Sequence, residues 1–422
     1  MHAILRRKFL GTGAAACGAA LAVPCLIPAS ALGEDGAVPP SGRIGLGFIG
    51  LGGRGRYIMG HFLGTGSECI AVCDVWKNRR EEVKAQMKGQ CTAYGDLREL
   101  LARPDIDAVV IATPEHWHVP ASVLAAKAGK DVYCEKSVGP TVAEGRSLSD
   151  TMRRYARVFQ FGTQQRSDNY FRFACELVRN GRIGRLQTIT IAVPGGGRGT
   201  LRPQPVPAEL DYDMWLGPAP WMPYVGQAVG DCWVDWPDYA PGFLSTWGVH
   251  HVDIAQWGNG TELSGPVTIE GRGVYAKGDF YRIALRWHAE CTYANGVKLV
   301  HTDESENPNG VRFAGTEGWV FVTRGSIDAH PKALLQSRIG PNEIHLYRSD
   351  NHARNFLDCI RTRRETISPA EIAHRSTAIS LLCDLAMRLE RKLQWDPDTE
   401  RCPNDDGVNR LLSRTTRAPW TL

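Results

Sequence analysis

Two short segments of this 422-residue sequence carry the residue types needed to take a proton from an alcohol. Lys136 lies in the segment Glu135-Lys136-Ser137, and His250 and His251 are adjacent in a later tryptophan-containing segment. Oxidation of a carbinol carbon requires a base for the hydroxyl proton and a positive or hydrogen-bond-donating group beside the developing alkoxide. Lys136 and His250 are therefore the candidate catalytic residues. The alternatives are a solvated surface lysine and a structural histidine.

A glycine-rich turn near the start of the chain could hold a cofactor for such chemistry. Gly50, Gly52 and Gly55 follow the apolar run 44–49 in the pattern G-x-G-x-x-G. After a strand, the first glycine permits a sharp turn, the second lets the backbone approach a pyrophosphate, and the third lets the helix pack closely. The helix N-terminus then faces the phosphates. The pattern predicts a dinucleotide site here, followed by a helix over 57–63.

An acidic residue at the end of the second predicted strand bears on which dinucleotide would bind. Asp74 ends the apolar run 69–73, nineteen residues after Gly55. A carboxylate at this place accepts hydrogen bonds from the adenosine ribose, which favours NAD over NADP. Trp76, Arg79 and the basic residues beside them could instead hold a 2′-phosphate, so NADP remains the alternative.

Residues 92–161 continue an alternation of apolar strands and helices that is typical of a doubly wound α/β domain. The runs 106–112 and 131–134 are continuous apolar strands of the kind buried on both faces. In such sheets, ligands bind outside the carboxyl ends of the strands. Six candidate site residues are predicted at that one edge: Gly50, Asp74, Thr113, His118, Glu135 and Lys136.

The motifs taken together resemble those of the Gfo/Idh/MocA family. They are GFIGLGGRG, Asp74, ATPEHWH, CEKS and WGVHHVDIAQWG, and the resemblance covers nearly all of 43–400. Further stretches (GTQQRS, NGRIGRL, WLGPAPW, NFLDCI and KLQWDP) look like the family's exported branch. The resemblance implies a nicotinamide-dependent enzyme for sugars or cyclitols. It also implies a Rossmann domain followed by a domain built on a large open, mainly antiparallel sheet, with the active site between the two.

The resemblance also implies roles for individual residues. Lys136 matches a lysine that reaches the substrate hydroxyl beside the nicotinamide, and His250 matches the histidine of the second catalytic motif. Ser137 replaces the family's proline and Thr246 its aspartate, two departures that bear on how Lys136 is aimed and on how His250 handles protons. The residues expected to contact the cofactor are Gly50, Gly52, Gly53, Arg54, Gly55, Asp74, Thr113, Pro114, His116, Glu135 and Lys136. Those expected to contact the substrate are His118, Gln165, Arg166, Trp233, Trp236, His251 and Asp253.

The chain divides by these patterns into a Rossmann domain, 43–162, and a substrate and oligomerisation domain, 163–400. The second domain contains several runs rich in β-branched and aromatic residues and a loop rich in Trp and Pro over 194–241. A capping box at Ser368 and Glu371 is predicted to open a C-terminal helix over 369–393. A tail, 401–422, follows. We expect a homo-oligomer formed through the open sheet. The cysteines lack the spacing of a zinc site, so no metal is expected.

The N-terminus is typical of a twin-arginine signal peptide. Arg6 and Arg7 precede a run rich in Ala and Gly, and Ala29-Ser30-Ala31 offers a cleavage site, so 1–31 is the signal and 32–42 a linker. An uncleaved membrane helix is disfavoured because Gly and Pro interrupt the run. Cleavage leaves 46 basic against 45 acidic residues. Such a balance gives no reason to expect nucleic acid or membrane as a partner. We expect a periplasmic or secreted protein.

Three functions follow from these patterns. The first is an NAD(P)-dependent oxidoreductase acting on a sugar, cyclitol or glycoside with a tightly bound cofactor, NAD rather than NADP, in a redox-neutral cycle. The second is an NAD-dependent glycoside hydrolase or lyase that acts through transient oxidation at C3 and elimination. The third is a non-catalytic sugar-binding protein.

Overall fold

The computed structural model describes residues 42–197, 202–230, 232–275 and 283–420. The predicted signal peptide, 1–31, lies outside the described residues, as does the predicted linker apart from its last residue. Within the described ranges, no helix is long and apolar enough to cross a membrane. The same ranges hold no group of three or more His, Cys, Asp or Glu side chains that could bind a metal ion.

The first part of the chain forms a parallel six-stranded sheet in the order β3-β2-β1-β4-β5-β6. Its strands are β1 (Ile44–Ile49), β2 (Ser67–Cys73), β3 (Thr92–Tyr94), β4 (Ala108–Ile111), β5 (Asp131–Cys134) and β6 (Phe159–Phe161). Every residue of β1, β4 and β5 is buried, as their apolar runs predict. The strand order reverses between β1 and β4, which is where ligands bind in this type of sheet.

Helices pack on both faces of this sheet, and two of them begin at residues with capping-box spacing, Asp96 with Glu99 and Thr141 with Glu144. The helices are α1 (Gly53–Phe62), α2 (Lys77–Gln86), α3 (Leu97–Leu101), α4 (His118–Lys127) and α5 (Val142–Arg154). The Asp96 carboxylate accepts from Arg98 N (2.8 Å) at α3, and Thr141 Oγ1 accepts from Glu144 N (3.3 Å) at α5. The prediction that α1 starts at Tyr57 was wrong. The helix begins at Gly53, so its first turn is part of the glycine motif.

The second part forms an eight-stranded sheet in the order β13-β12-β11-β7-β10-β9-β8-β14. Its strands are β7 (Leu186–Val193), β8 (Pro266–Tyr275), β9 (Ala284–Tyr293), β10 (Lys298–Asp303), β11 (Gly310–Gly315), β12 (Trp319–Thr323), β13 (Ser326–His330) and β14 (Leu393–Gln394). All neighbours are antiparallel except β7 and β10. A Rossmann domain followed by a large, mostly antiparallel sheet confirms the predicted fold class.

The remaining helices cover this sheet, join it to the Rossmann domain or form small units outside it. They are α6 (Asn169–Arg179), α7 (Tyr212–Leu216), α8 (Gly226–Val229), α9 (Phe243–Thr246), α10 (Gly248–Asn259), α11 (His352–Thr362), α12 (Ala370–Arg388) and α13 (Asp406–Leu411). Apolar side chains of α6, α10 and α12 share a core with the sheet, whereas α11 packs into the core beside α1. The loop 194–241 contains α7 and α8, which enclose an aromatic core of their own.

The C-terminal helix differs from its prediction at both ends. The predicted capping box at Ser368 was wrong, because Ser368 Oγ pairs with Thr163 Oγ1 (3.0 Å), two residues after β6. The helix ends at Arg388, and Leu393 lies instead in β14. The residues predicted as the tail contain α13, whose Val408 packs in the core of the second sheet.

Candidate active site

The glycine turn between β1 and α1 is packed tightly on one side and open on the other. Gly50 has a φ of +88°, and a Cβ on it would lie 2.7 Å from the Ala112 carbonyl. A Cβ on Gly55 would lie 2.0 Å from Gly50 O, so only glycine lets α1 approach the turn. Gly52 has its nearest neighbour 3.7 Å away, and no described atom lies within 4 Å of the Cβ position of Gly53. The open side is a cradle of the shape that phosphates require.

This cradle forms one wall of a cavity of about 340 Å³. Eight of the residues expected at the cofactor line it: Gly50, Gly52, Gly53, Arg54, Asp74, Thr113, Pro114 and Glu135. Trp233, expected at the substrate, lines this cavity instead. Trp76 and Arg79, the candidates for holding a 2′-phosphate, line it too. Trp117 and Trp215 also line it and were not among the expected site residues. Trp215 reaches the cavity because the helix α7 lies against the sheet edge, which no local pattern indicates.

Asp74 fastens the glycine turn to the end of β2. One carboxylate oxygen accepts from Leu51 N (2.6 Å) and the other from Trp76 N (2.8 Å). Burial raises the pKa of Asp74, although these two hydrogen bonds and the nearby arginines oppose the rise. Each oxygen keeps a second lone pair for a ligand. Arg79 lies over the ring of Trp76, 5.2 Å from its centroid, at the same end of the cavity.

His116 lies behind the cavity wall, although it was expected at the cofactor. Its Nε2 lies 2.9 Å from Trp215 O, and its ring packs against Trp215 and Tyr239. Complete burial lowers the pKa of His116 to about 3. In this position the histidine ties the end of β4 to the loop 194–241.

Lys136 and His250 are close together and have no polar partners for their reactive atoms. Within the described part of the chain, no hydrogen bond or ion pair engages Lys136 Nζ. His250 Nδ1 and Thr246 Oγ1 are buried without a hydrogen-bond partner. Burial lowers the pKa of His250 well below 6.5, and the charges of Lys136 and Arg324 lower it further. Unpaired buried polar groups cost free energy, so these atoms are available to hydrogen-bond a ligand.

The pKa of Lys136 is also lowered, first by burial, with Arg54 and Arg324 adding to that effect. Glu135 and Glu115 oppose it by favouring the ammonium form. The imidazole of His250 is therefore neutral near neutral pH and free to accept a proton. Lys136 gives up its proton more readily than an ordinary lysine.

A buried network holds the backbone next to Lys136. Glu115 Oε1 accepts from Ser137 N (3.0 Å) and Oε2 accepts from Ser137 Oγ (2.8 Å). The ring of His118 lies between two carbonyls, with Nδ1 2.6 Å from Ser137 O and Nε2 2.9 Å from Thr113 O. The Lys136–Ser137 peptide is cis. His118, expected at the substrate, is thus placed to position Lys136 through the backbone.

The other residues expected at the substrate fall into two groups. Gln165 and His251 are buried and retain unpartnered polar atoms, the Gln165 amide and His251 Nδ1, while His251 Nε2 lies 2.8 Å from Asn309 Oδ1. Arg166 and Asp253, in contrast, form a buried bidentate pair with each other (2.6 and 2.9 Å). Trp236 belongs to the aromatic core of the loop 194–241.

A second cavity, of about 450 Å³, lies on the other side of Arg54. It is bounded by α1, the segment 164–168, the start of α11 and the turn between β12 and β13, and Gln165 lines it. Arg54 lines both cavities and pairs with Glu135 (2.9 Å). The two cavities therefore meet beside the residue that precedes Lys136.

Comparison with known proteins finds curated relatives that match part of this chain in sequence. The curated relatives include myo-inositol 2-dehydrogenase of Thermotoga maritima, 31% identical over 169 residues (40% of this chain and 47% of that protein). They also include an alpha-N-acetylgalactosaminidase of Shewanella oneidensis, 32% identical over 209 residues (44% and 45%). The chain therefore spans just under half the length of these relatives.

Solved structures resemble the whole fold. Aldose-aldose oxidoreductase from Caulobacter crescentus aligns with a TM-score of 0.64 at 19% identity. The aligned region covers 83% of this chain and 99% of that protein. The WlbA dehydrogenase from Bordetella pertussis has a TM-score of 0.65 at 16% identity (84% and 99%). Two family models match, one for the NAD-binding Rossmann fold over 44–163 and one for the C-terminal alpha/beta domain over 183–422. The chain belongs to the Gfo/Idh/MocA oxidoreductase family.

Proposed function

We propose that this protein is a nicotinamide-dependent oxidoreductase that acts on a hydroxyl of a sugar, cyclitol or glycoside. One observation carries the proposal: Lys136 Nζ and His250 Nδ1 are unpaired and close together, and Lys136 follows β5 at the sheet edge that carries the glycine cradle. Such a pair suits a carbinol, because the imidazole accepts the hydroxyl proton and the ammonium stabilises the developing alkoxide. The carbohydrate and inositol names of the relatives agree with this substrate class.

The residues of the first cavity fit a dinucleotide. Gly52 and Gly53 can offer backbone N–H groups to phosphates, and Arg54 can offer its guanidinium. A bound nicotinamide dinucleotide supplies a reversible two-electron acceptor. Asp74 has lone pairs left for ribose hydroxyls, so we propose NAD as the cofactor. Arg79, stacked on Trp76, is the group that would favour NADP.

The redox-neutral glycosidase remains a second candidate. It is favoured by the glycosidase relatives and by the buried, unpartnered Nδ1 of His251 beside His250. Elimination after oxidation requires a second base, for a proton next to the new carbonyl, and His251 is available for that role. We further propose that the Arg6-Arg7 segment directs export with the cofactor already bound, and that the open sheet forms a homo-oligomer.

The proposal is tested by releasing nucleotide from denatured protein and by incubating a sugar panel with protein and added NAD. We expect reduction of the nicotinamide with at least one sugar or cyclitol. Lys136→Ala should lower kcat about a hundredfold or more while NADH still binds. The exposed Lys127→Ala on α4 is the control and should have no effect. Release of aglycone with solvent deuterium at C2 and without net reduction would favour the glycosidase. Absence of any dinucleotide binding would refute both enzymes.

A further inference from the structure

Arg324 reaches the reaction centre from the far sheet. It follows β12 and opens the turn to β13, where Gly325 has a φ of +81°. The guanidinium carbon of Arg324 lies 4.5 Å from the ring centroid of Trp247. The other neighbours of that ring are His250 and His251, at centroid distances of 5.3 and 5.2 Å. The Trp247 ring therefore contacts both His250 and Arg324.

The positive charge of Arg324 is favoured by the carboxylate of Glu135, but the two side chains form no ion pair in the described structure. Among the described residues, no hydrogen bond or ion pair engages its guanidinium. Arg54, the neighbouring cation, already pairs with Glu135. Lys136 Nζ is unpaired as well. Of the described carboxylates that act on these two cations, Glu135 pairs with Arg54 and Glu115 accepts hydrogen bonds from Ser137.

The two acidic residues that line the second cavity are engaged elsewhere. Asp168 caps α6 by accepting from Tyr170 N (2.8 Å), and Asp350 pairs with Arg348 (3.0 Å). Neither carboxylate is paired with Arg324. A cation stacked on a ring and shielded on one side from water interacts more strongly with an anion than a fully solvated cation does.

The position of Arg324 separates its charge from the proposed cofactor site. Arg324 lines the second cavity, with Gln165, and does not line the cavity of the glycine cradle. An anion beside Arg324 would therefore belong to the substrate and not to the dinucleotide. Gln165, which has an unpartnered buried amide, can add a neutral hydrogen-bond donor to the same group.

We propose that the substrate carries an anionic substituent, a carboxylate or a phosphate or sulfate ester, which Arg324 binds while a separate carbinol faces Lys136 and His250. Arg324 is then the residue that distinguishes an acidic sugar from its neutral counterpart. This inference rests on the proposed function, and it refines the substrate class. An arginine suits the task because its planar fork binds a carboxylate through two hydrogen bonds.

The test is calorimetric binding to the NADH-loaded protein, which requires no turnover. The probes are D-glucose, D-glucuronate and D-glucose 6-phosphate, together with D-galactose and D-galacturonate. We expect at least one anionic probe to bind about tenfold or more tightly than its neutral partner. Tighter binding of a uronate would assign a carboxylate, and tighter binding of the phosphate would assign an ester.

Arg324→Gln should weaken the preferred anion about tenfold to a hundredfold and leave the neutral sugar unchanged. Arg324→Lys should restore part of the affinity. The matched control is Arg312→Gln, since Arg312 also stacks on a tryptophan of this sheet (Trp319, 4.6 Å) but lines neither cavity. That variant should bind like the wild type.

The inference is overturned if no anionic probe is preferred, or if Arg324→Gln weakens neutral and anionic probes equally. Its failure differs from failure of the proposed function. A protein that oxidises neutral sugars without a charge preference keeps the function and loses the inference. A protein that binds uronates through Arg324 but never reduces NAD loses the function and keeps the anion site.

Discussion

His250 is the proposed proton acceptor, and its surroundings keep it neutral. Because burial and nearby cations hold its pKa well below 6.5, sugar oxidation should stay constant as the pH falls through 6.5 and decline only under more acidic conditions. A carboxylate at Thr246, four residues earlier, should favour the imidazolium and raise that pKa. The acid limb of kcat/KM in Thr246→Asp should therefore move to higher pH. Thr246→Asn is the uncharged control, and an unmoved limb would exclude His250 as the base.

Ser137 holds Lys136 through Glu115, a carboxylate that is fully buried. Ser137→Ala removes the donor at 2.8 Å and leaves one carboxylate oxygen without it. We expect the free energy of unfolding in urea to fall by about 1–3 kcal/mol and kcat to fall with it. Ser380→Ala, which removes a buried hydroxyl that has no partner, should not destabilise the protein. Equal effects of the two changes would contradict the positioning role of Ser137.

At the scale of single residues, the sequence indicates which side chains can react but not which ones pair. Lys136 and His250 are marked by type and by their place after a strand and in a helix. Arg166 and Asp253 looked equally suited to a substrate, but they bind each other across a separation of 87 residues. Arg324 had no signal at all, because an arginine in a hairpin turn is ordinary until the fold places it over Trp247.

The glycine turn gives a prediction for an element. Gly55→Ala places a Cβ 2.0 Å from Gly50 O and must push α1 away from β1, so NADH affinity should fall about tenfold or more and the fold should lose stability. Gly60→Ala, in the same helix, meets no described atom within 4 Å. It should leave NADH binding intact and stabilise the protein by about 0.4–1 kcal/mol. Fluorescence titration and urea unfolding distinguish the two variants.

A buried ion pair joins the segment 164–167 to α10. Arg166→Met should lower the free energy of unfolding by about 3–5 kcal/mol, because it leaves the Asp253 carboxylate buried without its partner. The exposed pair of Arg153 with Asp150 is the control, since Arg153→Met should cost under about 1 kcal/mol. If the variant of Arg166 were as stable as the control but lost sugar binding, Arg166 would contact substrate after all.

Elements with a regular hydrophobic pattern were predictable, and those fixed by distant contacts were not. The strands of both sheets follow from apolar or β-branched runs, and the caps at Asp96 and Thr141 follow from their spacing. Ser368 has the same capping pattern, but its hydroxyl pairs with Thr163. The sequence of the loop 194–241 has no periodicity. Its described residues from 210 to 239 pack around an aromatic core that only the folded chain brings together.

At the scale of the whole molecule, the chain beyond α13 reaches back to the cofactor cavity. Arg417 donates to the Gly217 and Asp213 carbonyls (2.9 and 2.7 Å). Gly217, with a φ of +47°, lies against the Trp117 ring, which lines the cofactor cavity. The last described residue, Trp420, packs on the same ring at a centroid distance of 4.7 Å. The C-terminal segment thus supports the cavity wall from outside.

Arg417→Ala should therefore weaken NADH binding by about threefold or more, although Arg417 lines neither cavity. The expected cause is weaker packing of the segment 202–230. Limited proteolysis should therefore cleave this segment faster in the variant than in the wild type. Saturating NADH should slow that cleavage. Arg410→Ala is the matched control, because this exposed arginine hydrogen-bonds only within α13 among the described residues. Unchanged NADH affinity together with faster cleavage would separate the loop from the cofactor site and contradict the coupling.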